Sequence, residues 1–134
     1  MARAEIAWTD EFLIGIAELD HEHRSLVADI NRLHRALRDH DERARIEETL
    51  GEILSRMQAQ FALEETVMKE HAYPHYRAHK AEHEELLDTV TGFIVRFEAE
   101  PGGGFSKALE ETLDEWIVSH ILTSDRKMSL MLKG

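Results

Sequence analysis

Residues 60–83 read QFALEETVMKEHAYPHYRAHKAEH and combine the end of one predicted helix, a turn and the start of the next. Apolar residues recur every three or four positions as far as Met68, which is the period of an amphipathic helix. The Tyr73–Pro74 pair closes this helix, because proline cannot continue a helix but suits the first turn of a new one. Helical spacing then resumes from Tyr76 to His83. The stretch therefore predicts two consecutive helices that fold back on each other.

The same helical period extends over most of the chain, after an apolar N-terminal arm at residues 1–17. It predicts helices at roughly 19–39, 43–71, 74–99 and 105–132. The segments HDER (40–43) and PGGG (101–104) supply the other two breaks. Four amphipathic helices joined by short turns predict an all-α, antiparallel, up-down-up-down four-helix bundle, in a single domain over residues 1–134. No segment alternates with period two, so no sheet is expected.

Composition restricts the possible classes of function. The 134 residues include no cysteine, which excludes disulfides, thiolate metal sites and iron–sulfur clusters and fits a reducing compartment. The net charge of −11 argues against nucleic acid or an anionic membrane as a partner. No apolar run approaches a membrane span, and the N-terminus lacks a signal-peptide core. We therefore expect a soluble cytoplasmic protein.

Each predicted helix carries metal-binding types of side chain inside its apolar stripe. These residues are His23, Glu64, His79, His83 and His120. One such histidine alone is usually a hydrogen-bonded core residue, whereas a buried, unpaired carboxylate costs several kcal/mol. Four stripes that converge on one core layer would bring four imidazoles and a carboxylate together. Metal sites in helix bundles are built in this way.

Two spacings bear on this predicted site. His79 and His83 are four residues apart, so both side chains leave one helical face a turn apart. Asp125 follows His120 by five residues, which in an ideal helix places it about 140° away around the axis. Both can reach one site only if the helix loosens, bulges or ends between them. The pair therefore predicts a local distortion of the fourth helix.

The remaining histidines are weaker candidates. His34 lies three turns, roughly 16 Å, beyond His23 and is predicted to be a partly buried structural residue. His75 stacks one turn before His79 and is interpreted as the cap of a solvated helix start, with an approach to the metal left open. Three others lie near helix ends or point away from the site: His21, His40 and His71.

The donor set bears on the identity of the metal. Imidazoles and carboxylates without sulfur suit iron, manganese or zinc. Two carboxylates from different helices can bridge a pair of ions, and four histidines are more than one usual zinc site takes. Ferritin-like di-iron bundles need two Glu-x-x-His motifs, whereas this chain has one, Glu18-x-x-His21, at the start of the bundle. The ferritin-like alternative is therefore poor.

Four stretches resemble the hemerythrin family in its short, single-domain bacterial form. They are WTDEFLIGIAELDHEH (8–23), QFALEETVM (60–68), YPHYRAHKAEH (73–83) and WIVSHILTSD (116–125). They run across nearly the whole chain with family-like spacing and are highly specific in combination. The resemblance implies a non-haem di-iron centre that binds molecular oxygen.

The resemblance also implies a role for each ligand. One iron would be held by His79, His83 and His120, and the other by His23. Glu64 and Asp125 would bridge the two irons, together with an oxo or hydroxo group. In the family a histidine also binds the second iron and stands directly before the phenylalanine of the second helix, where this chain has Gln60.

Gln60 thus affects the iron at which the family binds oxygen and spares the other. It lies four residues before Glu64 on the same helical face, so its amide oxygen can point inward. Either this weak, neutral donor ligates the second iron, or water takes the place and the amide bonds to that water. The sequence leaves both arrangements open, and altered oxygen chemistry and simple substitution with persistent binding remain alternatives.

An apolar oxygen pocket is also implied, although core packing would explain its residues equally well. The pocket residues would be Trp8, Phe61, Ile117 and Ile121. The leading hypothesis is an oxygen carrier, store or sensor that catalyses no reaction. Two alternatives stay open: a di-iron oxidoreductase acting on oxygen, peroxide or nitric oxide, and a metal-buffering bundle that holds zinc or a single iron. An electron donor or an oxygen-using enzyme is the further expected partner.

Overall fold

The computed structural model describes residues 6–39, 43–99 and 106–133. Its helices are α1 (Ala17–Arg38), α2 (Arg43–Glu70), α3 (Tyr76–Ala99), α4 (Ser106–His120) and α5 (Arg126–Lys133). A 3-10 turn, Asp10–Phe12, precedes α1, and a π-helical turn, Ile121–Asp125, joins α4 to α5. The residues on both sides of this turn keep right-handed helical backbone angles. The segments α4 and α5 therefore continue one another as the fourth helix of the bundle.

The helices form the predicted four-helix bundle, and the described residues contain no strand. Each helix packs on the next one along the chain, and α4 packs back on α1. Since short connections join long helices that pack side by side, consecutive helices run antiparallel. None of the helices in the described part is both long enough and apolar enough to span a bilayer. Residues 40–42 of the predicted HDER turn, the PGGG break and Phe105 lie outside the described residues.

The core follows the predicted stripes. Its completely buried members include Leu19, Leu26 and Ile30 from α1, Leu50, Ile53 and Met57 from α2, Val90 from α3, and Leu113 and Ile117 from α4. Burying one large aliphatic side chain contributes about 1.5–3 kcal/mol, so the apolar core supplies most of the driving force for folding. It also excludes water from the polar layer between the helices.

The reversal between α2 and α3 has a specific backbone geometry. Helix α2 ends at Glu70, and Ala72 adopts a left-handed conformation with φ 50°. The Tyr73 amide donates to the Met68 carbonyl at 2.9 Å, and the Ala72 amide donates to the Lys69 carbonyl at 3.1 Å. This is the Schellman pattern of helix C-termini, which satisfies the last carbonyls of the helix. The predicted end of the second helix is therefore explained by its cap as well as by the proline.

The N-terminal arm is attached to the bundle by side chains of other elements. Asp20 accepts the Ile14 amide at 2.7 Å, so its carboxylate serves the arm rather than the helix dipole alone. Asn31 pairs with both backbone groups of Ile6, at 2.7 and 2.8 Å. From α5, the Ser129 hydroxyl donates to the Ile14 carbonyl. The arm is thereby held against α1 and α5.

A second polar cluster lies away from the predicted ligands. His34 of α1 has Nε2 2.8 Å from Asp114 Oδ1 and has Nδ1 in contact with the Glu110 carboxylate, both on α4. The His34 side chain is only 2% exposed, so the prediction of a partly buried residue is corrected to a buried one. Burial opposes a charged ring, but the two carboxylates outweigh it and raise the pKa of His34. At pH values below this raised pKa, the charged ring links α1 to α4 through both carboxylates.

Replacing this ring should destabilise the protein in a pH-dependent way. His34→Leu removes the charged partner of two largely buried carboxylates, so the free energy of unfolding should fall by about 1–3 kcal/mol near pH 6. A raised pKa means that the stabilisation is complete below the unfolded value of about 6.5 and is lost as pH rises through the folded value. Urea unfolding of both proteins at increasing pH should show a shrinking difference. A difference that stays constant with pH would contradict a protonated His34.

Candidate metal centre

The structure brings all seven predicted ligand positions into one buried layer. Each side chain in this layer is at most 4% exposed: His23, Gln60, Glu64, His79, His83, His120 and Asp125. His23 lies on α1, Gln60 and Glu64 lie on α2, and His79 and His83 lie on α3. His120 is the last residue of α4, and Asp125 is the last residue of the π-helical turn. Four helices are therefore needed to assemble the layer.

The predicted distortion between His120 and Asp125 is confirmed and takes the form of a π-helical turn. In such a turn the backbone bonds run from i to i+5, so a residue five positions later returns to the same face. His120 Nε2 consequently lies 2.9 Å from Asp125 Oδ1. An unbroken α-helix would point the carboxylate elsewhere.

The two oxygens of Glu64 face different sets of donors. Its Oε1 lies 3.2 Å from His79 Nε2 and 3.1 Å from His83 Nε2. The same oxygen is 3.8 Å from His120 Nε2. Its Oε2 lies 3.4 Å from His23 Nε2 and accepts the Gln60 amide at 3.1 Å. One carboxylate thus stands between two groups of side chains.

The two oxygens of Asp125 likewise face different sets of donors. Its Oδ1 lies 3.0 Å from His79 Nε2 and 2.9 Å from His120 Nε2. Its Oδ2 lies 2.9 Å from His23 Nε2. We define the first subsite as the space faced by His79, His83 and His120, and the second as the space faced by His23 and Gln60. Both carboxylates face both subsites.

Unsatisfied polar atoms in this layer fit bound cations. The Gln60 amide oxygen is buried without a hydrogen-bond partner, and the Asp125 oxygens lie within 3.0 Å of imidazole nitrogens without a well-directed hydrogen bond to them. Leaving buried polar atoms unpaired costs about 1–3 kcal/mol each. The Nε2 atoms of His83 and His120 are 3.2 Å apart, so two lone pairs face each other there unless one of these two nitrogens carries a proton. One ligand atom from each first-subsite histidine and each carboxylate lies within 4.8 Å of the others, and these imidazoles and carboxylates suit iron, manganese or zinc.

The pKa values of several side chains in this layer are strongly shifted. Burial opposes a charged ring, but Asp125 and Glu64 outweigh it and raise the pKa of His23 and that of His79 to about 9. The pKa of His120 lies well above its usual value for the same reasons. Burial would raise the pKa of Glu64, yet bonds from His120 and the other imidazoles hold it well below its usual range. A cation that binds to these nitrogens must therefore displace the protons that the neighbouring carboxylates favour.

Aromatic rings pack directly on two of the candidate ligands. Phe61 lies parallel to the His83 ring at 3.9 Å, and Trp116 stacks on the His120 ring at 4.8 Å. Of the other predicted pocket residues, Ile117 and Ile121 are completely buried. Trp8 is half-buried, and its ring stacks on Phe12 at 5.1 Å. Sequence reasoning missed the contact of Trp116, although its position one turn before His120 was a usable signal.

The weaker candidates among the described residues lie outside the buried layer. Glu18 and His21 are both exposed, so the triplet expected of a ferritin-like site cannot join it. His75 is exposed, and its ring meets the edge of Tyr73 at 5.6 Å. His71 is exposed as well and contacts the Val67 carbonyl at 2.9 Å. His40 lies outside the described residues.

Two carboxylates behind the ligands were also missed. Glu65 Oε2 lies 3.1 Å from His83 Nδ1, and Glu82 Oε2 lies 3.2 Å from His120 Nδ1. Each is adjacent in sequence to a predicted ligand, but a chain with 27 acidic residues makes such adjacency uninformative. Only the packing of the helices distinguishes them from solvated glutamates.

Comparisons with known proteins identify the family of the chain. Residues 14–132 match the family described as "Hemerythrin HHE cation binding domain". The chain is 33% identical to a bacteriohemerythrin of Stenotrophomonas maltophilia, over 98% of this chain and 84% of that protein. It is 35% identical to a bacteriohemerythrin of Pseudomonas aeruginosa, over 91% of this chain and 78% of that protein.

A solved structure shows the same arrangement of the backbone. The crystal structure of a mutant hemerythrin superimposes with a TM-score of 0.88 at 26% identity, covering 98% of this chain and 100% of that chain. The match spans the bundle and the segments that carry the buried layer. On the family match and on these relatives, the chain belongs to the hemerythrin family.

Proposed function

We propose that this protein binds molecular oxygen at a non-haem di-iron centre and acts as an oxygen carrier, store or sensor. The observation that carries the proposal is the division of both carboxylates between two donor sets. A single-ion site needs no carboxylate whose two oxygens face different donor sets, whereas bridging carboxylates are suited to a pair of ions. Membership of the hemerythrin family supports iron and oxygen as the metal and the ligand.

The residues of the two subsites would hold the two irons. His79, His83 and His120 would hold the first iron, and His23 the second, with Glu64 and Asp125 bridging them. An oxo or hydroxo bridge would complete the centre. When bound, the iron pair supplies the electrons for reversible oxygen binding. The chain itself contributes the buried geometry and the surrounding apolar side chains.

Gln60 distinguishes the second subsite from the first. Its amide nitrogen donates to Glu64 Oε2 at 3.1 Å, which leaves its amide oxygen buried without a partner. That oxygen is a neutral donor and weaker than imidazole toward ferrous iron. We infer that the second iron is held less tightly than the first and has an additional exchangeable position, filled either by this amide oxygen or by water.

Apolar side chains around the layer would keep water away from bound oxygen. Phe61, Ile117 and Ile121 are buried, and each lies within three residues of a ligand position in the sequence. A dry pocket slows proton-assisted loss of a bound anion, because proton donors cannot approach. The same side chains are part of the core, so their replacement would affect stability as well.

The unpaired amide oxygen of Gln60 is the observation behind a second candidate function. An iron with two exchangeable positions suits turnover of oxygen, peroxide or nitric oxide, with electrons from an external donor. The two functions differ in the step after oxygen binding: a carrier would release oxygen and return to the ferrous state, whereas an oxidoreductase would remain ferric until an external donor reduced it. Spectra recorded while oxygen is added and then removed distinguish the two.

The purified protein should contain close to two irons per chain. The reason is that the buried layer presents two donor sets joined by two carboxylates. Elemental analysis of iron and zinc, in protein produced with sufficient iron, tests this expectation. Stoichiometric zinc without iron would contradict the di-iron proposal and favour the metal-buffering alternative. A Glu64→Gln variant provides the control, because loss of the shared carboxylate should lower the iron content below two per chain.

A further inference from the structure

We propose that Glu82 is a positioning residue that presents His120 to the first ion, and that Glu65 does the same for His83. Each carboxylate accepts the Nδ1–H of its histidine and so leaves Nε2 free to bind the ion. The inference rests on the proposed function only in requiring a cation in the first subsite. Neither glutamate would contact the ion itself.

The position of Glu82 is suited to this task. Its Oε2 lies 3.2 Å from His120 Nδ1, on the side of the ring away from Asp125. The same oxygen accepts the Ser124 hydroxyl at 2.7 Å, and Ser124 belongs to the π-helical turn that carries Asp125. One carboxylate on α3 therefore orients a ligand on α4 and holds the turn that bears the next ligand.

Glu82 reaches these partners across a groove between α3 and α4. The groove has a volume of about 490 Å³ and is lined on the Glu82 side by Glu85 and Thr89, and on the opposite side by Trp116, Ser119 and Ser124. The Glu82 side chain is 50% exposed, whereas that of His120 is 3% exposed. The carboxylate thus lies at the boundary between the solvent and the buried ring.

The chemical reason is the choice between imidazole tautomers. A neutral histidine carries its proton on either nitrogen, and only the nitrogen without the proton can bind a metal. A carboxylate at Nδ1 selects the form with a free Nε2, fixes the plane of the ring and makes it a stronger donor. His120 Nε2 already faces the centre, 2.9 Å from Asp125 Oδ1.

This support is distributed unequally between the two subsites. In the first, two of the three rings have a carboxylate at Nδ1: Glu65 for His83 and Glu82 for His120. In the second, His23 Nδ1 is buried without a hydrogen-bond partner. The outer carboxylates therefore strengthen the same subsite that already has three imidazoles. We expect metal to bind in two steps, with the tighter step at the first subsite.

Chelator titration of protein loaded with Zn(II) alone tests the role of Glu82. Glu82→Leu removes the acceptor, and the tighter zinc step should weaken by about 10–100-fold, as for other carboxylates that support metal-bound histidines. Glu82→Gln keeps an oxygen that can accept from Nδ1, so its affinity should lie between those of wild type and Glu82→Leu. Glu85→Leu is the matched control, because Glu85 is exposed in the same groove and should leave zinc affinity unchanged.

A nuclear magnetic resonance measurement separates positioning from a purely structural role. In the zinc-loaded wild type, the Nδ1–H proton of His120 should exchange slowly with water because Glu82 holds it. The exchange should become fast in Glu82→Leu and stay slow in Glu82→Gln. A structural role alone would lower the melting temperature without this pattern. Zinc affinity in Glu82→Leu equal to that of the Glu85→Leu control, or unchanged Nδ1–H exchange, would overturn the proposal.

The outcome is independent of the oxygen chemistry. If the protein binds zinc in this way but shows no oxygen-dependent spectrum with iron, the positioning role stands and the proposed function fails. If oxygen binds but Glu82→Leu matches its control, the proposed function stands and the positioning role fails.

Discussion

Removal of the metal is expected to lower the melting temperature by about 10 °C or more. An ion that binds only the folded chain adds about 4 kcal/mol at a concentration 1,000 times its dissociation constant. For a chain of this length each kcal/mol corresponds to about 3 °C. The ions also supply partners for buried atoms that lack a well-directed hydrogen bond, such as both oxygens of Asp125. Binding energy at this centre is therefore folding energy.

Differential scanning calorimetry of the protein as purified, after chelation and after return of Fe(II) without oxygen measures this effect. The returned metal should restore the original melting temperature. A Glu64→Gln variant is the control, because chelation should lower its melting temperature less than that of the wild type once the shared carboxylate is gone. If metal-free and metal-loaded wild type melt together, then the buried layer does not bind ions as part of the fold.

The substitution Gln60→His should prolong the oxygen-bound state by about tenfold or more, which corresponds to about 1.4 kcal/mol. A histidine at this position adds a stronger nitrogen donor on the same helical face as Glu64, and it removes an exchangeable position at the second subsite. The wild type should pass quickly to a stable ferric state after mixing with oxygen. The site already encloses a polar side chain at this position, so the ring should be tolerated.

Stopped-flow spectroscopy of both proteins, reduced without oxygen and mixed with oxygenated buffer, measures the lifetimes. Gln58→His is the matched control, because Gln58 lies on the same helix but is exposed. The control should behave as the wild type does. A long-lived oxygen complex in the wild type that Gln60→His does not extend would make Gln60 functionally neutral. The simple carrier function would then stand without the enzymatic alternative.

Removal of the metal and the Gln60→His substitution test different parts of the proposed function. Chelation asks whether the polar layer around Glu64 and Asp125 is a metal centre at all. The Gln60→His substitution tests whether the side chain at position 60 decides between oxygen storage and oxygen turnover. A protein that loses stability on chelation but ignores Gln60→His would be a metal centre whose oxygen chemistry is set by other residues.

Much of the fold could be predicted from local pattern. The period of apolar residues identified the helices, since burial of one face is what stabilises a helix in a bundle. The same period placed His79 and His83 on one face, because residues four apart are neighbours in any α-helix. The five-residue interval between His120 and Asp125 required a distortion for the same geometric reason. These conclusions depend only on the backbone of one helix at a time.

Tertiary packing decided what depends on the register between helices. The sequence did not indicate that Glu82 would stand behind His120, that Trp116 would stack on that ring, or that His34 would meet two carboxylates of α4. It also did not show which oxygen of Glu64 faces which ring. The physical reason is that helical periodicity defines the face on which a side chain lies, whereas its partner on another helix depends on how far the helices slide and rotate as their cores interlock.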